Sequence, residues 1–168
     1  MNTKPVPTGV EKSFNDDEII VSKTDTKGII TYGNELFIEM SGYSERELLG
    51  APHNIIRHPA MPRSVFKLLW DTVRGKQEIF AYVINLAKDG SHYWVFANVT
   101  PSYSLKGEII GYHSIRRKPE ANALDTIRPL YEEMLKVEQD GGMEAGLGLV
   151  ENILKEKGVS YEEFILSL

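Results

Sequence analysis

The sequence predicts an α+β domain: a five-stranded antiparallel sheet with short helices over one face, followed by a C-terminal helical appendage. Three observations predict it. Short β-rich runs stand at both ends of residues 19–117, with helical spacing between them. The last three runs are separated by Lys88-Asp89-Gly90 and Leu105-Lys106-Gly107, the turn chemistry of consecutive antiparallel hairpins. Beyond residue 120 the spacing becomes helical again, with narrow apolar stripes.

Residues 1–15 carry Pro, Thr, Gly and charge without periodicity, and the expected reading of 1–18 is a flexible lead-in. Ile19-Ile20-Val21 and Ile29-Ile30-Thr31-Tyr32 flank the turn Asp25-Thr26-Lys27-Gly28, which makes a first hairpin. Leu36, Phe37 and Met40, then Leu48 and Leu49, place short helices over 34–50. Ser44 and Glu47 have the spacing of a capping box, and Gly42 and Gly50 mark ends. Ala51 to Arg63 holds Pro52, Pro59 and Pro62 and reads as a loop with at most one helical turn. Val65, Leu68, Leu69, Thr72 and Val73 form an i, i+3, i+4, i+7, i+8 stripe, so a helix runs over 63–74 and closes at Gly75. Strands follow over 78–87, 91–103 and 109–117.

In the tail, Leu124, Ile127, Tyr131 and Met134 form one stripe, while Leu147, Val150, Ile153 and Leu154 form a second after Gly141-Gly142. Pro129 starts or kinks the first helix, and Ser160 caps a last turn. The expected organisation is a lead-in over 1–18, a body over 19–119 and an acidic helical extension over 120–168.

Charge and composition exclude several functions. The chain has 168 residues, a net charge of −5 and no cysteine, which rules out disulfides, thiolate metal sites and any photochemistry through a thiol adduct. The tail carries net charge −7, leaving +2 for residues 1–119, and neither half has the basic footprint of a nucleic-acid or anionic-membrane binder. The first eighteen residues lack the apolar core of a signal peptide, and nowhere is there an apolar run long enough to span a bilayer, so the expected location is the cytoplasm. There is no phosphate-binding glycine loop, no zinc-protease motif and no nucleophile elbow; the expectation is a protein without enzymatic activity.

The order ββ, short helices, βββ over 19–117 resembles a PAS domain. The segments NELFIEMSGYSERELLG (34–50), PHNIIRHPAMP (52–62), FKLLWDTV (66–73), NLAKDGSHYWVFANVTP (85–101) and GYHSIRR (111–117) together resemble the sensory PAS domain of bacterial aerotaxis receptors. Two positions depart from that type: Ala60 stands where an acidic residue is usual, and no tryptophan lies near Ile79–Phe80. The resemblance implies a non-covalently held FAD that reports oxygen, redox or energy state, and a partner of the methyl-accepting chemotaxis type. Without a membrane anchor or signalling coiled coil, the chain resembles the stand-alone PAS partners of split energy-taxis systems.

A flavin needs an apolar slot for its ring and a few donors and acceptors along the pyrimidine edge. Strand alternation groups Val83 with Asn85, and Tyr93, Val95, Ala97 and Val99 opposite Trp94, Phe96 and Asn98. It sets Gly111, His113 and Ile115 against Tyr112, Ser114 and Arg116. The resemblance implies Asn85 at the pyrimidine edge, with His113 beside flavin N5 and O4 as a proton-accepting element; the bland reading of His113 is a half-buried strand residue. His53 lies near the position where photoactive relatives carry their cysteine. Arg57 and His58, with Asn54 in the same loop, are candidates for the ribityl or pyrophosphate part, since a guanidinium grips phosphate bidentately. Trp70 is a candidate pocket wall, Phe80 a partial replacement for the missing tryptophan, and Asn34 an N-cap with an adenine contact as a second role. Trp94 is expected on the outer face of the sheet, under the tail or a second subunit.

Three readings remain open. The first is a flavin sensor, holding FAD or FMN. The second is a haem gas sensor with His53, His58 or His113 as axial ligand. The third is a cofactor-free docking module. A homodimer is expected because the tail's apolar stripe calls for a cover.

Overall fold

A computed structural model describes residues 3–168. Five strands form one antiparallel sheet: β1 (Ile20–Thr24), β2 (Ile30–Gly33), β3 (Ile79–Leu86), β4 (His92–Tyr103) and β5 (Ile109–Arg117), in the spatial order β2-β1-β5-β4-β3. The two hairpins therefore meet at the β1–β5 pair, and the first and last strands are neighbours. Between β2 and β3 lie α1 (Glu35–Ser41), α2 (Glu45–Leu48), a 3-10 turn at His53–Ile56 and α3 (Arg63–Arg74). The tail forms α4 (Ala121–Lys157) and α5 (Tyr161–Leu166).

Local signals act where they stand in the sequence. Asn34 caps α1 by accepting from the Phe37 N–H at 3.1 Å, and the same carboxamide ties β1 to α1 through Val21 N–H and the Ile19 carbonyl. Ser44 with Glu47, and Ser160 with Glu163, form complete capping boxes. Gly42 ends α1 at φ 73°, in the left-handed region that favours glycine.

The register sorts the sheet into two faces. Pairings Ser22↔Ser114, Val99↔Ser114, Ala97↔Arg116, Val83↔Val95 and Asn85↔Tyr93 put these residues on the inner face, beneath α1 to α3. The outer face carries Phe80, Tyr82, Trp94 and Phe96, and α4 crosses it. Tyr131 donates to the Tyr82 carbonyl and lies 6.0 Å from the Trp94 ring, while Arg128 sits over Trp94. Leu124, Ile127, Tyr131 and Met134 are buried in the same cluster as the sheet residues. Trp94 is thus covered by the tail, and the stripe that suggested a second copy is closed within one chain.

Two expectations change. The lead-in, among its described residues, lies along β4 as an extended edge: His92 N–H donates to the Val10 carbonyl at 2.9 Å and Lys12 N–H to the His92 carbonyl at 2.7 Å. Backbone pairing needs no side-chain periodicity, so the pattern did not reveal it. Residues Met1 and Asn2 lie outside the described residues. The two tail helices are joined into one element, bent where Gly142 takes φ 69°, ψ −164°.

Candidate functional site

A cavity of about 540 Å³ lies between the inner face of the sheet and the helices. The sheet supplies Val83 and Asn85 from β3, Ala97 and Val99 from β4, Tyr112, Ser114 and Arg116 from β5, and Ser22 and Thr24 from β1. Facing them are His53, Asn54 and Arg57 from the proline-rich loop, and Phe66, Leu69 and Trp70 from α3. Trp70 stands edge-on to Tyr112 with ring centres 5.3 Å apart, and Arg57 lies over Phe66 at 4.6 Å. These are flat apolar walls with a polar floor.

Arg116 dominates the electrostatics. It is 2% exposed, yet no carboxylate is paired with it among the described residues. One terminal nitrogen donates to Ser22 Oγ, the guanidinium lies 4.8 Å over the Phe37 ring, and Nε and Nη1 have no partner. Burial pushes its pKa down to about 10, so the group remains a cation at neutral pH. Asn85 Nδ2 is likewise buried without a partner. Orphaned buried donors are costly unless something answers them, and here they line an open volume.

Ser22 links Arg116 to His53, whose Nε2 is 2.9 Å from Ser22 Oγ. The imidazole stacks on Phe37 at 5.9 Å. Burial, with the Arg116 charge adding to it, depresses its pKa to about 3, so His53 is neutral throughout the physiological range.

The sequence profile of the PAS fold matches residues 30–116. The chain belongs to the PAS fold family. The Escherichia coli K12 aerotaxis receptor is 37% identical over 134 residues, covering 80% of this chain and 26% of the receptor. The Klebsiella pneumoniae nitrogen fixation regulatory protein is 31% identical over 99 residues, covering 59% of this chain and 20% of that protein. This PAS domain therefore spans about a quarter and a fifth of the lengths of these two relatives. Among solved structures, the light-state LOV domain of the blue-light photoreceptor Aureochrome1 superposes with a TM-score of 0.57 at 22% identity, covering 64% of this chain and 86% of that one. A PAS domain from Colwellia psychrerythraea gives 0.56 at 23% identity, covering 60% and 86%. At these identities the structural likeness concerns the fold.

Within this PAS domain the cavity gathers seven of the residues singled out from sequence: His53, Asn54, Arg57, Trp70, Val83, Asn85 and Ala97. Val95 shares their face but is fully buried in the core beneath α1 and the loop. Asn34 spends its carboxamide on capping and on β1, which leaves no free group for an adenine. His58 belongs to a neighbouring cavity, edge-on to His92 at 5.9 Å, with Nδ1 accepting from the Ala60 N–H.

Two residues fall on the opposite face. Phe80 stacks on Phe96 at 5.8 Å under the tail and does not stand in for a pocket tryptophan. His113 pairs across strands with Lys23 and Thr100 on the outer face, while Ser114 and Arg116 point into the cavity. Alternation had grouped the residues of β5 correctly; only the choice of inward face was reversed. The clue was Arg116: an arginine in a strand that alternates with a histidine reads as solvent-facing, whereas here the arginine is inside. Also missed were Ser22, Arg63 and Met143, which reach the cavity from β1, α3 and α4. Nothing in local pattern connects Met143 to a site formed eighty residues earlier.

Proposed function

We propose that this PAS domain is a flavin-binding sensor of redox or energy state, holding FAD and signalling through protein contacts. One observation carries the reading. A buried, unpaired Arg116 and an orphaned Asn85 amide face an apolar slot walled by Trp70 and Phe66. A fused ring with carbonyl and imide edges supplies the missing acceptors at one end and fills the slot with the rest. The similarity to the aerotaxis receptor supports the same ligand class.

Bound there, a flavin supplies reversible uptake of electrons and protons. The chain's own contribution is electrostatic. Arg116 holds a fixed positive charge, out of water, next to the position where negative charge would grow on reduction. Asn85 has both donor and acceptor atoms, so rotation of its amide answers a change in protonation at the ligand edge. His53 stays neutral and keeps Ser22 oriented toward Arg116. Differential stabilisation of two redox states by this set would shift the population of β5 and α3 conformations, which the tail then passes to a partner. By likeness to the aerotaxis receptor, that partner is a transducer of the chemotaxis type, and the setting is aerotaxis or energy taxis in the cytoplasm. No helix among the described residues is long and apolar enough to cross a membrane.

Haem is the second reading. Only His53 among the histidines lines the cavity, and its Nε2 already bonds Ser22, which supports flavin over haem. The test is an absorption spectrum of the purified chain. Paired near-ultraviolet and blue bands that bleach on reduction support the proposal. A single intense haem band, or a colourless protein that takes up neither FAD nor hemin, overturns it.

A further inference from the structure

A second cavity of about 490 Å³ adjoins the first and shares Arg57 and Arg63 with it. Its lining comes from three parts of the chain: Lys4 and Pro5, the loop around His58 to Met61, and Leu135, Glu138 and Gln139 of α4. We propose that this second cavity seats the nucleoside-diphosphate half of a dinucleotide whose flavin half fills the first, with Arg57, Arg63 and Lys4 holding the diphosphate. The proposal rests on the flavin reading of the first cavity and goes beyond it. The roof of this site is built by α4, outside the segment matched by the PAS profile.

Three features support it. Lys4, Arg57 and Arg63 have no carboxylate within ion-pair distance among the described residues. The nearest acidic group, Glu138, is already committed. Its carboxylate accepts from Arg63 N–H at 3.1 Å, from Ser64 N–H at 2.8 Å and from the Ser64 hydroxyl. Three cations with no internal partner, at and beside the junction of two cavities, match a diphosphate bridge between two ring systems. Leu135, Met61 and Leu86 give the second cavity the apolar surface a purine needs. A mononucleotide would leave this volume to water.

The consequence is that the ligand touches the tail directly. Leu135, Glu138 and Gln139 belong to the same helix that crosses the sheet, so loss of the dinucleotide would loosen α4 without any change in the PAS body.

The experiment titrates the full chain, stripped of ligand, with riboflavin, FMN, FAD and ADP, following flavin fluorescence. FAD is expected to bind at least about tenfold more tightly than FMN, a difference of the size that one or two charge-assisted contacts supply. ADP should displace FAD but leave riboflavin bound. Leu135→Trp fills the second cavity, and Lys4→Glu reverses an exposed charge with little risk to folding. Each should bring FAD down to the affinity of FMN while riboflavin is unchanged. Equal affinity for FAD and FMN, or an FAD preference that survives both variants, overturns the second-cavity assignment and leaves the flavin reading intact. Failure to bind any flavin overturns both.

Discussion

Glu138, in the C-terminal helix, caps the N-terminus of α3, the helix that walls the cavity. Pro62 stands at the N-cap position of α3 and makes no side-chain cap. A carboxylate from seventy-four positions further along the chain therefore satisfies the first free N–H groups and the helix dipole together. Gly146 packs against the same Ser64, where an added Cβ would collide with Ser64 Oγ and approach Glu138 Oε1 to 2.9 Å. The tail is latched to the cavity wall at one polar point and one steric point.

Glu138→Ala is expected to lower stability by about 1–3 kcal/mol, the range for losing charge-assisted bonds at a buried helix end. Urea denaturation measures it. Gly146→Ala should act through sterics, raising hydrogen exchange in 121–157 while β3 to β5 stay protected. Uniform loss of protection across the sheet would refute a local latch.

Arg116→Met removes a buried cation that has no partner in the ligand-free chain. The ligand-free variant is expected to be at least as stable as the parent, because an unpaired buried charge is a cost. With flavin bound, its midpoint potential should fall by ~30 mV or more, since about 30 mV in a two-electron couple corresponds to 1.4 kcal/mol. Spectroelectrochemical titration reads the shift. An unchanged potential would remove Arg116 from the mechanism.

His53 makes stability depend on pH with a definite sign. Its folded pKa, about 3, lies below the ordinary value of 6.5, so the unfolded chain takes up the proton first. The stabilising contribution is complete above pH 6.5 and is lost progressively as pH falls toward 3, at on the order of 1 kcal/mol per unit. His53→Gln should flatten the decline of the melting temperature between pH 6.5 and 5. An equally steep decline in the variant would assign the dependence to other groups.

His113→Ala tests the face assignment of β5. The side chain is on the outer face beside Lys23, so flavin affinity and midpoint potential are expected to stay unchanged. A shifted potential in this variant would place His113 next to the flavin after all.

The sequence by itself determined the element order, the hairpins, the helix over Arg63–Arg74 and both capping boxes, because each depends on neighbours within a few positions. It also brought Asn85, Arg57, Trp70 and His53 to one site, through the resemblance and strand alternation. Tertiary structure decided the rest. Which face of β5 looks inward depends on its register against β1 and β4, and a reversal exchanges His113 for Arg116. Where the acidic tail goes depends on contacts such as Glu138 with Ser64 and Tyr131 with Tyr82, made across long stretches of chain. Period and propensity record which residues want to be buried, and leave open against which partner; that choice is made only when distant surfaces close over the cavity and its unpaired arginine.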